Sequence, residues 1–232
     1  MAISPFFTKA ALGMGAASVT AAGAAYAGGV FSPSEEKGEL ISKLIKTVNP
    51  DKRAITATAG TDANWKEAWK RYREDNREKN PKEDVWKLES WVKPTSSSIT
   101  NAEEAPAYFR SACTSRLSQK VSDVKSSLYK EVLEYCTRDT LVEDWVKDSG
   151  KSLREKGDGS SSEWKALWTK YREANKNKNS GQDEWKISKQ QWTSVTEESA
   201  PEEFRNKCET ESKLKAGKSS EDSVKRVLAY CI

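Results

Sequence analysis

Histidine is absent from all 232 residues, and with it go imidazole acid–base catalysis and the histidine-dependent nucleophilic triads. Zinc loses its usual nitrogen ligand, and no Cys-x-x-Cys spacing occurs to replace it, so no metal site is expected. Phosphate-binding loops are missing too. Gly150-Lys151-Ser152 and Gly217-Lys218-Ser219 resemble the end of one, but the glycine needed five residues earlier is Trp145 or Ser212. Asn175-x-Asn177-x-Asn179 hints at a calcium loop, yet it brings no carboxylate there and Lys186 stands in the twelfth position. No basic run concentrates positive charge: residues 32–138 carry 20 Lys+Arg against 17 Asp+Glu, and residues 139–232 carry 18 against 18. Such mixing describes solvated helix faces and gives no reason to expect a nucleic-acid partner.

Carboxylate-only catalysis is what these absences leave. Glu103 and Glu104, and Glu202 and Glu203, are the repeated acidic pairs. Their place beside Pro106 and Pro201, at expected helix starts, is explained by the helix dipole. No catalytic residue, cofactor or metal ligand is assigned, and the chain is not expected to be an enzyme.

Apolar residues are also scarce, at 36% against 32% charged, a balance that approaches disorder. Nine tryptophans oppose it, since each can bury on the order of 200 Å². Their spacing organises the chain. Trp65, Trp69 and Tyr72 stand at helical intervals and end on Asn76; Trp164, Trp168, Tyr171 and Asn175 repeat the pattern 99 positions later. On a helix each set falls within roughly 60°, a single apolar stripe. Core packing explains it better than sugar stacking, and the two Asn are expected to cap or bridge helices, the alternative being contact with a ligand. Trp86 and Trp91 are matched by Trp185 and Trp192 and read as a helical turn or short helix folded back over each core.

Cys113 and Cys136 are 23 positions apart, as are Cys208 and Cys231. Of three pairings, the recurrence favours Cys113–Cys136 and Cys208–Cys231. Each bridge would contribute roughly 3–4 kcal/mol on the chain-entropy model. The competing reading is buried free thiols in a reducing compartment.

At the N-terminus, Ala10 to Phe31 is 22 residues without a charge, rich in Ala and Gly. That length can cross a bilayer, though Ala-rich segments insert marginally. Gly23 and Ala27 also present small residues four apart. Lys9 ahead of it favours a cytoplasmic start and an exported remainder. The alternative is a cleaved signal peptide with Ala25-Tyr26-Ala27 as its small-x-small site. No cysteine precedes position 113, which excludes a lipid-modified one. Either route delivers residues 32–232 to a compartment where disulfides persist.

Further along, Leu40, Ile41, Leu44 and Ile45 mark a first helix, matched by Leu141, Val142, Trp145 and Val146. It is broken by Asn49-Pro50 and by Ser149-Gly150. Asp62 or Thr61 is a simple cap for the first tryptophan helix; Ser160 and Glu163 suggest a capping box for the second. Phe109 with Cys113, and Phe204 with Cys208, share helix faces. Val124, Leu128, Val132 and Tyr135 close the first unit, and Val224, Val227, Leu228 and Tyr230 the second.

The expected fold is therefore all-α. An N-terminal hydrophobic segment (1–31) is followed by two tandem modules (32–138 and 139–232), each of four or five short helices with an internal disulfide. The Trp-Lys-x-x-Trp-x-x-Tyr-Arg-Glu-x-Asn block, the paired cysteines and the Ala/Gly-rich N-terminus resemble the large paralogous families of uncharacterised exported proteins of haemotropic mycoplasmas. That resemblance implies a surface protein of a wall-less red-cell parasite, engaged in host contact or antigenic variation. It brings no site residues. The expectation is a membrane-anchored extracellular interaction protein, held through residues 10–31; the alternative is a structural protein that self-associates at the membrane.

Overall fold

The computed structural model describes residues 38–96, 98–179, 181–187 and 199–232. The expected anchor or signal segment and Trp192 lie outside these. Among the described residues no helix is long and apolar enough to cross a membrane.

The chain is mostly helical, with eight helices and four short strands among the described residues. In order they are β1 (Glu39–Leu40), α1 (Ile41–Val48), β2 (Lys52–Ala54), α2 (Ala63–Asp75), α3 (Ala107–Leu117) and β3 (Lys120–Val121). Then come α4 (Ser127–Tyr135), β4 (Thr137–Asp139), α5 (Val142–Asp148), α6 (Ser162–Asn175), α7 (Glu202–Ser212) and α8 (Asp222–Tyr230). The strands correct the all-α expectation. β1 pairs antiparallel with β3, and β2 with β4. Ladders of two or three residues carry no alternation that a sequence pattern can register.

Helix boundaries follow local chemistry. Asp62 caps α2 by accepting the Asn64 and Trp65 amides. The cap of α6 is Ser161, which accepts the Trp164 amide at 3.3 Å; Ser160 turns to Asp158 instead, so the expected Ser160–Glu163 box does not form. Pro106 and Pro201 stand at the N-caps of α3 and α7. Glu202 and Glu203 occupy the first turn of α7, whereas α3 has no acidic residue there. The acidic pairs are therefore not equivalent: Glu103 and Glu104 precede their helix. Of the helical turn or short helix expected around Trp86 and Trp91, the chain forms turns. Lys82 and Lys87 adopt φ of 67° and 52°, a left-handed conformation that a continuing helix cannot include.

Two separate clusters form the core. One gathers Ile41, Ile45, Trp65, Trp69, Tyr72, Trp86, Trp91, Phe109, Val132 and Cys136; the other Val142, Val146, Trp164, Trp168, Tyr171, Trp185, Phe204, Val227 and Cys231. Trp69 stacks on Tyr72 at 5.8 Å and meets Phe109 at 4.9 Å. Trp168 stacks on Tyr171 at 5.8 Å and meets Phe204 at 5.1 Å. Disulfides join Cys113 to Cys136 and Cys208 to Cys231, with Cα atoms 5.4 and 5.5 Å apart. Each ties a helix carrying a core phenylalanine to the end of the last helix in its half. Gly60 and Gly159 let two chain segments touch, since a Cβ on either would stand 2.2 or 2.3 Å from the carbonyl oxygen of Ala105 or Ala200.

The two halves meet without a linker. β4 pairs with β2 in the first half and leads directly into α5, so the division expected between 138 and 139 falls inside a strand. Thr140 donates its amide to Asp51 and its hydroxyl to Pro50, both at 2.8 Å. Its carbonyl accepts the Ala216 amide at 2.9 Å.

Candidate functional site

The residues singled out by the sequence are structural. Trp65, Trp69, Tyr72, Trp164, Trp168 and Tyr171 are each at most 5% exposed, which leaves no ring face for a sugar. Asn76 donates its amide to the Tyr72 carbonyl at 2.8 Å and accepts the Val85 amide at 2.8 Å. Asn175 does the same with Tyr171 and Glu184, at 2.9 and 3.2 Å. Both therefore pin the turn segment to the end of the tryptophan helix.

Two buried carboxylates accompany them. The Tyr72 hydroxyl donates to Asp84, whose carboxylate also accepts the Leu88 amide at 3.0 Å; that hydroxyl accepts the Trp86 amide at 3.3 Å. Tyr171, Asp183, Ile187 and Trp185 repeat the arrangement. Burial, with the carboxylate at its oxygen, pushes each hydroxyl well above its ordinary range. These hydroxyls donate hydrogen bonds and do not ionise. The sequence carries the signal as Asp84-x-Trp86 and Asp183-x-Trp185, a recurrence without helical periodicity.

The acidic pairs do not converge on a site. Glu103 forms an ion pair with Arg73, whose guanidinium also reaches the Thr100 carbonyl at 2.6 Å. Glu202 meets Lys156 at 3.1 Å. Among the described residues no group of three or more His, Cys, Asp or Glu is placed to hold a metal.

Among the described residues a groove recurs in both halves, between the extended segment after α1 or α5 and the cysteine-bearing helix. In the first half it is a groove of about 770 Å³, lined by small neutral residues such as Ala54, Thr56, Ala57, Ser111 and Thr114. The second half has a groove of about 350 Å³, lined instead by charge from Arg154, Lys156, Glu209 and Lys213. An arginine shapes each groove: Arg110 donates to the Ala105 carbonyl at 3.1 Å and to that of Thr58. Arg205 donates to the Ala200 and Lys156 carbonyls at 3.3 and 2.9 Å. The two grooves thus present different chemistries.

A third cleft, about 470 Å³, lies where the halves join and includes Lys52, Arg71, Arg138, Asp139 and Lys215. Its charges are engaged with one another. Asp139 accepts from Lys52 at 2.8 Å and pairs with Lys215; the two ammonium groups, Lys215 first, hold its carboxyl down to about 2. Arg138 grips Asp144 through two bonds of 2.6 and 2.8 Å. Burial pushes Asp144 up, but Arg138 and the Leu141 amide outweigh it and leave it below its ordinary value. Alongside, Arg53 lies 4.8 Å over the ring of Trp145 and meets Asp148 at 3.0 Å. This cleft is a seam.

The fold defines a class no finer than a mostly helical chain with two disulfide-stapled cores. No protein-family model matches the chain, and neither a curated protein nor a solved structure is significantly similar to it.

Proposed function

We propose that residues 32–232 are a duplicated pair of helical modules held outside the cytosol, tethered through residues 10–31 and working by non-catalytic interaction. The observation that carries this reading is the pair of bridges, Cys113–Cys136 and Cys208–Cys231, with no free cysteine remaining. Disulfides persist in oxidising compartments and strengthen domains whose apolar cores are small.

Duplication is supported by contacts that recur with changed residues. Ile41 donates its amide to the Gln119 carbonyl at 2.9 Å, and Val142 to that of Leu214 at 2.9 Å. Trp65 meets Phe109 and Trp164 meets Phe204, each edge-on at 6.1 Å. Arg116 and Glu131 exchange sign to become Glu211 and Arg226, which pair at 3.5 Å. A swap of that kind keeps attraction between two helices while both residues change.

The interaction role rests on the two grooves. A conserved frame with one neutral and one charged lining suits recognition by modules that have diverged. The sequence resemblance to exported mycoplasma proteins adds a surface antigen or adhesin as the specific form. Protease shaving tests the placement. Intact cells should lose residues 32–232 to added protease, with a cytosolic marker spared. Survival of the protein until the cells are lysed overturns the proposal.

A further inference from the structure

The two cores differ in a polar detail beneath rings whose centroids match, although Trp86 stacks on Phe109 and tilts to Tyr72 while Trp185 stacks on Tyr171 and tilts to Phe204. The Trp86 and Trp185 centroids both lie 5.1 Å from their tyrosines, Tyr72 and Tyr171. They lie 5.7 and 5.5 Å from Phe109 and Phe204, and 5.4 and 5.5 Å from Tyr135 and Tyr230. In the first half the indole N–H donates to Glu131 Oε2 at 2.9 Å, while the Arg116 guanidinium lies 4.3 Å over the ring. Glu131 stands four residues before Tyr135; the residue four before Tyr230 is Arg226. Arg116 stands three residues after Cys113; the residue three after Cys208 is Glu211. The sign swap therefore removes the carboxylate from the helix position that serves the indole in the first half and puts a guanidinium at that position.

The consequence is visible in the second half. Trp185 is 2% exposed, and among the described residues its Nε1 has no hydrogen-bond acceptor. Arg226 Nε is likewise buried without one. Glu211 reaches only the far nitrogen of that guanidinium, Nη2, at 3.5 Å, and Glu184 is engaged with the Tyr230 hydroxyl. A buried N–H left unmet costs about 1–3 kcal/mol, and more when the group is charged. An acceptor with two oxygens and a negative charge answers both donors, as the Glu131 carboxylate answers Trp86. A charge-assisted bond to arginine is also stronger than a bond to neutral water. The Arg226 side chain is 28% exposed, so the guanidinium edge gives a ligand its approach.

We propose that Trp185 Nε1 and Arg226 form a carboxylate-binding site, in which a ligand supplies the group that Glu131 supplies within the first half. The inference rests on the local match of the two tryptophan sites and is independent of export or tethering. Its ligand is a free small carboxylate or a carboxylate on another polypeptide.

The test is titration of the full-length protein, with ¹⁵N-labelled indoles, by sodium acetate at constant ionic strength set with chloride. The Trp185 indole N–H resonance should shift saturably while that of Trp86 stays fixed. Arg226→Gln should weaken the response at least tenfold, and Arg226→Glu, which restores an internal acceptor, should abolish it. A short blocked peptide containing one aspartate, run in parallel, separates the two sources. Tenfold tighter binding than acetate assigns the site to a polypeptide carboxylate, and equal binding assigns it to a free one. No saturable shift at Trp185, an equal shift at Trp86, or a response unchanged in Arg226→Gln overturns the proposal.

Discussion

Tyr72 and Tyr171 bring hydroxyls into cores made of rings, and each hydroxyl donates to a buried carboxylate. Phenylalanine at position 72 would keep the packing but strip Asp84 of its hydroxyl donor and the Trp86 amide of its acceptor. Tyr72→Phe should therefore destabilise the protein by about 1–3 kcal/mol, read as a lower urea midpoint at unchanged slope. A change within a few tenths of a kcal/mol would mean that Asp84 is satisfied without its tyrosine. At this scale the sequence was a good guide to the rings and a poor one to the acids between them. Trp65, Trp69 and Tyr72 announce themselves by helical spacing. Asp84 sits in a turn with no periodicity, and a lone aspartate reads as surface. Its recurrence as Asp183, two before a tryptophan, is the sequence signal it offers.

Among elements, the pairing of the cysteine helix with the last helix of each half carries the most specific prediction. Arg116 on α3 lies in the field of Glu131 on α4, and burial pulls its guanidinium below the ordinary arginine range. Arg116→Glu or Glu131→Arg alone sets like charges together. The double exchange recreates the arrangement of Glu211 and Arg226. A double-mutant cycle on urea unfolding should give a coupling energy on the order of 1 kcal/mol in favour of matched signs. Recovery should remain incomplete, because Trp86 then loses its acceptor. Additive single effects would show that the two helices do not sense each other through these charges. The helices were legible because capping residues, prolines and apolar stripes agree about them. The strands were not: β1 to β4 owe their pairing to where helices bring chain ends together. The turns after α2 and α6 were legible only as a helical turn or short helix, since Lys82, Lys87 and Lys186 take left-handed backbone that lysine does not advertise.

For the whole molecule the seam between halves matters most. Trp145, the tryptophan without a counterpart in the repeat, belongs to it: its indole N–H donates to the Ala216 carbonyl at 2.8 Å while Arg53 covers its face. Its position opposite Leu44 made it look like one more core residue. Asp139 gives the seam a pH dependence. Its carboxyl is held at about 2 in the folded protein against an ordinary 3.8. The stabilisation is therefore complete above pH 4 and is lost as pH falls from there through about 2. Melting temperature should drop over that window. Asp139→Asn should start lower and show a shallower fall, by the part that Asp139 contributes. Parallel curves for the two proteins would show that Lys52 and Lys215 do not depend on this carboxylate.

Because β4 completes a sheet in one half and passes straight into α5 of the next, the chain has no hinge at its middle. Ligands taken by both grooves would be held at a set distance and angle, like the jaws of a fixed gauge. Avidity would then be reserved for targets whose own spacing matches, and denied to those that rely on a flexible tether to reach.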